Sequence, residues 1–119
     1  MVVTPAGIET IEAVQFTGTK LAKSSTNVLG QIAATLRAHQ EIVRVKIVAH
    51  VQPSGDADKD QELSDKRAQV VRDWLVQWGI PQARLSAMGL GGSKPLVPRA
   101  TKNAALINER IEMIILERK

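Results

Sequence analysis

No cysteine occurs in the 119 residues. Its absence removes disulfides, thiolate nucleophiles and thiolate metal sites together, without fixing the compartment, since many exported domains also lack it. Histidine is scarce: His39 and His50 stand alone, with neither metal-ligand spacing nor an HExxH pattern, so no metal is expected. His39, near the end of a helix-like stretch, suits a capping role beside the helix dipole. His50 closes a strand-like stretch and reads as a structural histidine. Aromatic residues make up only 3% of the chain. The 16 Lys and Arg against 12 Asp and Glu give a net charge of +4, but scattered cations without stacking aromatics do not make a nucleic-acid surface. No apolar run approaches the roughly 20 residues a membrane-spanning helix needs, and MVVTPAGIE lacks the basic start and apolar centre of a signal peptide. GLGGSK fits neither GxxxxGK[ST] nor GxGxxG. The expectation is a non-enzymatic chain with no cofactor, no nucleic-acid partner and no membrane insertion of its own.

What is present is a globular composition, 44% hydrophobic, sized for one domain over residues 1–119. IETIEAVQF (8–16) reads as an opening strand, although Glu12 breaks its alternation, and FTGTKLAKSS reads as a connection. Ser24 or Ser25 caps a first helix of about 15 residues, with Val28, Leu29, Ile32, Ala33 and Leu36 on one face. EIVRVKIVAH (41–50) alternates Val43, Val45 and Ile47 with Arg44 and Lys46, the period of a strand buried on one side. VQPSGDADKDQE (51–62) reads as a loop. In LSDKRAQVVRDWLVQWGIP, Ser64 reads as N-cap, Leu63 as a staple onto Ala68, and Ala68, Val71, Trp74, Leu75 and Trp78 as an apolar stripe that Gly79 and Pro81 end. ARLSAMG gives a third strand, TKNAALIN a short helix capped by Thr101, and RIEMIILE a closing strand. The order β-α-β-α-β-(α)-β is that of an α/β chain folded as an α+β sandwich: a small mixed sheet with two main helices on one face.

One constellation points to binding. The loop after the second strand leads to the expected start of the second helix, where unpaired N–H groups and the helix dipole favour an anion. Arg67, three residues after Ser64, is placed to turn its guanidinium toward that loop and grip a carboxylate. The alternative is that Arg67 pairs with Asp60 or Glu62 and only ties the loop down.

The stretch AHVQPSGDADKDQELSDKRAQVVRDWLVQWGIPQARLSAMGLGGSKP, continued by NERIE, resembles the OmpA-like C-terminal domain family. That family's pattern is GHTDxxGxxxxNxxLSxxRAxxVxxxLxxxGI, then R, GxG, P and a closing NRRVE. Gly55, Leu63, Ser64, Arg67, Ala68, Val71, Leu75, Gly79, Ile80, Arg84, Gly89, Gly91, Pro95, Asn108, Arg110 and Glu112 fall in register with it. The resemblance implies a module of the cell envelope, in the periplasm and associated with the outer membrane through upstream regions and an export signal outside this chain. It also implies non-covalent binding of the peptidoglycan stem peptide, in which an aspartate and an arginine hold the amine and carboxylate of diaminopimelate, and it leaves other envelope proteins open as partners. The arginine carries over as Arg67. The GHTD segment has become Ala49, His50, Val51 and Gln52, the family asparagine is Asp60, and the first arginine of NRRVE is Glu109. The ligand-contacting set implied is therefore Gln52, Arg67, Val51, Gly55, Asp60 and Arg110, with Asp56, Asp58 or Asp60 able to substitute for the missing anion. Losing one member of a desolvated charge pair costs about 2–5 kcal/mol, roughly 30-fold to several thousand-fold in affinity. Recognition is expected to be weakened or altered. The alternative is a domain that has lost the ligand and serves as a protein interaction or structural module.

Overall fold

The computed structural model describes residues 2–3, 5, 7–9, 14–98 and 100–119. In chain order the strands and helices are β1 (Val2–Val3), β2 (Gly7–Glu9), β3 (Phe16–Thr17), β4 (Lys20–Leu21), α1 (Ser25–Ala38), β5 (Ile42–His50), α2 (Ala57–Gln77), β6 (Leu85–Gly89), α3 (Ala104–Asn108) and β7 (Arg110–Arg118). Five strands form one sheet in the order β1-β2-β7-β5-β6, and β3 and β4 form a separate hairpin. β5 and β6, joined through α2, run parallel, while β7 runs antiparallel to both β5 and β2. The expected mixed sheet with two main helices is therefore what forms.

Both helices cover the same face. Val45, Ile47 and Ala49 of β5 lie beside Ile115, Met113 and Ile111 of β7. That surface packs in one cluster with Val28, Leu29, Ile32, Ala33 and Leu36 of α1 and Ala68, Val71 and Leu75 of α2. The helical stripes read from the sequence are thus the core contacts, with one exception. Trp78 is 58% exposed. It is the C-cap residue of α2, and its φ of −92° and ψ of 18° leave the helical spiral, so the stripe ends at Leu75 and Ile80 fills the core beyond it. Trp78 instead stacks on Trp74, ring centroids 5.2 Å apart.

Four further expectations are corrected. The opening strand is not continuous: β2 pairs with β7, Phe16 belongs to the hairpin, and residues 10–13, with Glu12, lie outside the described residues. Ser25 does not cap α1 but accepts the Gln15 N–H at 2.7 Å, and Ser24 occupies the cap position without a side-chain bond. The largest difference is at α2, which begins at Ala57, seven residues before Ser64. Pro53 and Gly55, the latter at φ +97° in the left-handed region that favours glycine, hold the chain out of the helix. Asp56 then caps it by accepting the Lys59 N–H at 3.1 Å. Asp58 and Asp60 in the first turn complement the helix dipole, so residues 57–62 of the segment read as a loop are helical. The short helix likewise starts from Asn103 rather than Thr101.

Ser64, freed from capping, makes the closest approach between α2 and the sheet. Its hydroxyl donates to Gln61 O at 3.0 Å and accepts the Gly91 N–H at 2.8 Å. A Cβ at Gly89 would collide with Ser64 Oγ and the Asp65 backbone nitrogen, so only glycine permits this spacing. Around it Asp65 Oδ1 accepts the Gly89 N–H at 2.8 Å, and Arg72 Nε donates to Leu85 O at 3.1 Å.

Leu75 is fully buried in this core. Truncation to alanine is expected to lower unfolding free energy by about 2–5 kcal/mol, as large-to-small core changes do. Urea titration of both proteins measures it, and a loss under about 0.5 kcal/mol would contradict the packing described.

Candidate functional site

The end of β5 is built as a polar junction. Val51 is buried and its N–H donates to Gly91 O at 3.0 Å. Gln52 Oε1 accepts from Asn108 Nδ2 at 2.6 Å. Asn108, fully buried at the end of α3, also accepts the Leu96 and Val97 N–H groups at 2.8 and 3.1 Å and donates to Val97 O at 3.0 Å. Gln52 thus spends its carbonyl on holding the strand end to the segment before β7.

Asp60 is similarly occupied. Its two oxygens accept the Ser54 N–H at 3.0 Å and the Ser54 hydroxyl at 2.7 Å, which fixes the turn that Gly55 makes. Gly55 and Asp60 line a shallow cleft of about 330 Å³ with Pro53, Gln61 and Leu90 to Ser93. Arg67 is elsewhere. As the eleventh residue of α2 (57 to 67) it lies roughly 15 Å along the axis from the helix start, so the expected orientation toward the 53–62 loop is not what forms. Neither is its pairing with Asp60 or Glu62: Glu62 pairs with Lys66 at 2.9 Å.

Arg67 instead reaches the hairpin and the start of β7. Nε donates to Gly18 O at 2.7 Å, the guanidinium lies 5.3 Å from the centre of the Phe16 ring, and Nη1 is 3.5 Å from Glu109 Oε2. Arg67, Phe16 and Glu109, with Val14, Gln15, His50, Arg110 and Ile111, line a second cleft of about 170 Å³. Arg110 donates to Asn108 O at 3.2 Å and to Lys94 O at 3.1 Å and lies 3.3 Å from Glu112. Its lining combines the apolar Val14, Phe16 and Ile111 with the charged Arg67, Glu109 and Arg110.

His50 closes this cleft. It is 4% exposed. Nε2 lies 2.6 Å from Glu112 Oε1, an ion-pair distance without hydrogen-bond alignment, and Nδ1 has no hydrogen-bond partner among the described residues. Burial, and then the Arg110 charge, push its pKa below the usual value, against the opposing pull of Glu112.

Of the residues expected at the site, Arg67 and Arg110 share the smaller cleft, Gly55 and Asp60 share the larger, and Gln52 and Val51 line neither. Phe16, Gln15 and Glu109 were not singled out as ligand contacts. Glu109 was visible only as a departure within NERIE. Among the described residues no cluster of three or more His, Asp or Glu is placed to hold a metal, and no helix is long and apolar enough to cross a membrane.

Residues 15–109, from the hairpin through α3, match the model of the OmpA family. The chain belongs to the OmpA family. Among OmpA-family relatives, the outer-membrane lipoprotein YfiB of Pseudomonas aeruginosa is 33% identical over 81% of this chain and 56% of its own length. The peptidoglycan-binding protein ArfA of Mycobacterium tuberculosis is 29% identical over 82% of this chain and 30% of its own length. The chain therefore spans between about a third and a half of these relatives. The peptidoglycan-associated lipoprotein of Burkholderia pseudomallei superposes with a TM-score of 0.76, at 24% identity, over 86% of each chain. A MotB-like protein of Desulfovibrio vulgaris superposes at 0.74, with 29% identity, over 90% of this chain and 71% of its own.

Because the folded pKa of His50 is depressed below 6.5, the unfolded chain binds more protons in the interval between the two values. Its contribution to stability is complete above the unfolded value and is lost as pH falls through that interval toward the folded one. Thermal unfolding of wild type and His50→Gln at about pH 7.5 and pH 5 is expected to show a larger acid-induced drop in Tm for wild type. Equal drops would contradict the depressed pKa.

Proposed function

We propose that this OmpA-family domain is a non-catalytic cell-envelope module that contacts the stem peptide of peptidoglycan through the cleft at Arg67, with recognition of diaminopimelate altered by Gln52. The observation that carries the reading is Arg67 itself: a guanidinium buried at the wall of a cleft, steadied by Gly18 O and the Phe16 ring, with donor capacity beyond those contacts. A fixed fork of this kind suits a carboxylate. The relative ArfA, a peptidoglycan-binding protein, points the same way. On this reading the domain works in the periplasm, attached to the outer membrane through segments outside this chain, as the name of YfiB indicates for that relative.

Gln52, which lines neither cleft but is held to Asn108 next to Glu109, is the altered element. Its amide carries no charge, and its oxygen already accepts from Asn108. A carboxylate at the same position can accept the same bond while adding an anion. A second reading, an interaction or structural module that has lost the peptide, is favoured by the internal contact of Arg67 with Glu109.

Calorimetric titration with a diaminopimelate-containing muropeptide distinguishes them. Gln52→Asp is expected to bind at least about tenfold more tightly than wild type, the equivalent of about 1.4 kcal/mol. Arg67→Ala is expected to abolish binding in either background. Failure of both wild type and Gln52→Asp to bind would favour the interaction module.

A further inference from the structure

The clamp for a zwitterion needs an anion, and the positions expected to supply it are spent. Gln52 is uncharged, Asp60 uses both oxygens on Ser54, Asp56 caps α2, and Asp58 stands in the first turn of α2 and does not line the Arg67 cleft. Glu112 is close to His50 and Arg110. Among the described residues the one acidic side chain lining the Arg67 cleft is Glu109.

Glu109 is placed by structure rather than by chance of rotamer alone. Its backbone N–H closes α3 on Ala105 O at 2.9 Å, and Asn108 beside it is fixed by its four side-chain bonds. Its side chain is 39% exposed, so it remains open to solvent at the cleft mouth, whereas that of Arg67 is 8% exposed. The 3.5 Å between them is longer than the 2.7–2.9 Å typical of a tight charge-assisted bond. The pair is loose, and each partner keeps capacity for another group. Next to it His50 presents a buried Nδ1 without a partner, a polar atom that a ligand can satisfy.

We infer that Glu109, in place of a carboxylate at position 52, is the anionic half of the site, so that the Glu109–Arg67 pair receives a free α-amino-acid head whose ammonium meets Glu109 and whose carboxylate meets Arg67. This rests on the peptidoglycan reading above and names the group recognised. An adjacent anion and cation present the two charges in the order that a zwitterionic carbon needs, and the Val14, Phe16 and Ile111 wall takes the methylene chain behind it. A peptide whose amine is acylated loses the Glu109 contact and leaves that carboxylate facing an uncharged amide.

The test uses two probes, a muropeptide with the free diaminopimelate head and the same peptide with that amine acetylated. Wild type is expected to prefer the free amine by at least about tenfold. Glu109→Gln is expected to bind the free-amine peptide at least about tenfold more weakly than wild type and to lose the preference, while Glu109→Asp keeps most of it. Circular dichroism checks that both variants are folded. If wild type binds but Glu109→Gln binds equally or more tightly, Glu109 is a bystander or a competitor of the ligand carboxylate, and this inference alone falls. If no variant, Gln52→Asp included, binds either peptide, the peptidoglycan reading falls with it.

Discussion

Asn108 is the residue on which the arrangement of the cleft depends. A fully buried amide is costly unless its hydrogen bonds are made, and this one makes four, to Gln52, to Val97 twice and to Leu96. Those bonds bring the end of β5, the irregular 96–97 segment and the α3–β7 junction to one point. Glu109 and Arg110 follow directly in sequence, so the same bonds that satisfy the buried amide also set where a carboxylate and a guanidinium leave the backbone. Arg67 reaches them from α2, whose distance from the sheet is fixed by Ser64 against Gly89 and Gly91. The charged wall of the cleft is thus a by-product of two packing constraints, one polar and one steric.

The local charge balance follows from that geometry. Arg67 and Arg110 are offset by Glu109 and Glu112, and the pKa of the buried His50 is lowered by desolvation and by Arg110. A cleft that is nearly neutral but strongly dipolar offers little to a simple anion or a simple cation. On the reading proposed above, it takes a group carrying both signs.

Much of the fold was legible because its signals are periodic. The apolar steps of Leu29, Ile32 and Leu36, of Val71 and Leu75, and of Val45 and Ile47 each mark one buried face, and burial is what the period records. The start of α2 was not legible in the same way. Ser64 followed by an apolar stripe imitates an N-cap, but ADKDQE before it is helix-forming and acidic, and the stronger punctuation is Pro53 and Gly55 followed by Asp56. That shift of the cap by eight residues, from Ser64 to Asp56, moved Arg67 from a helix terminus to the middle of the helix, and so from one cleft to another. The family resemblance named Arg67 and Arg110, which line one cleft, whereas the role of Gln52 as a hydrogen-bond partner of Asn108 depends on residues 56 positions apart. No local pattern carries such a contact.

The way α2 seals β6 has a bearing on life at high concentration. β6 is an outermost strand of the sheet, paired on one side with β5, and an open strand edge is a template for pairing with another chain. Here the backbone groups at its two ends are already taken, Gly89 N–H by Asp65 and Leu85 O by Arg72. At the opposite border β1 is only two residues long. The sheet therefore ends in a strand whose terminal polar groups are plugged by helix side chains and in another too short to recruit a neighbour, which leaves little open edge for fibril-like stacking.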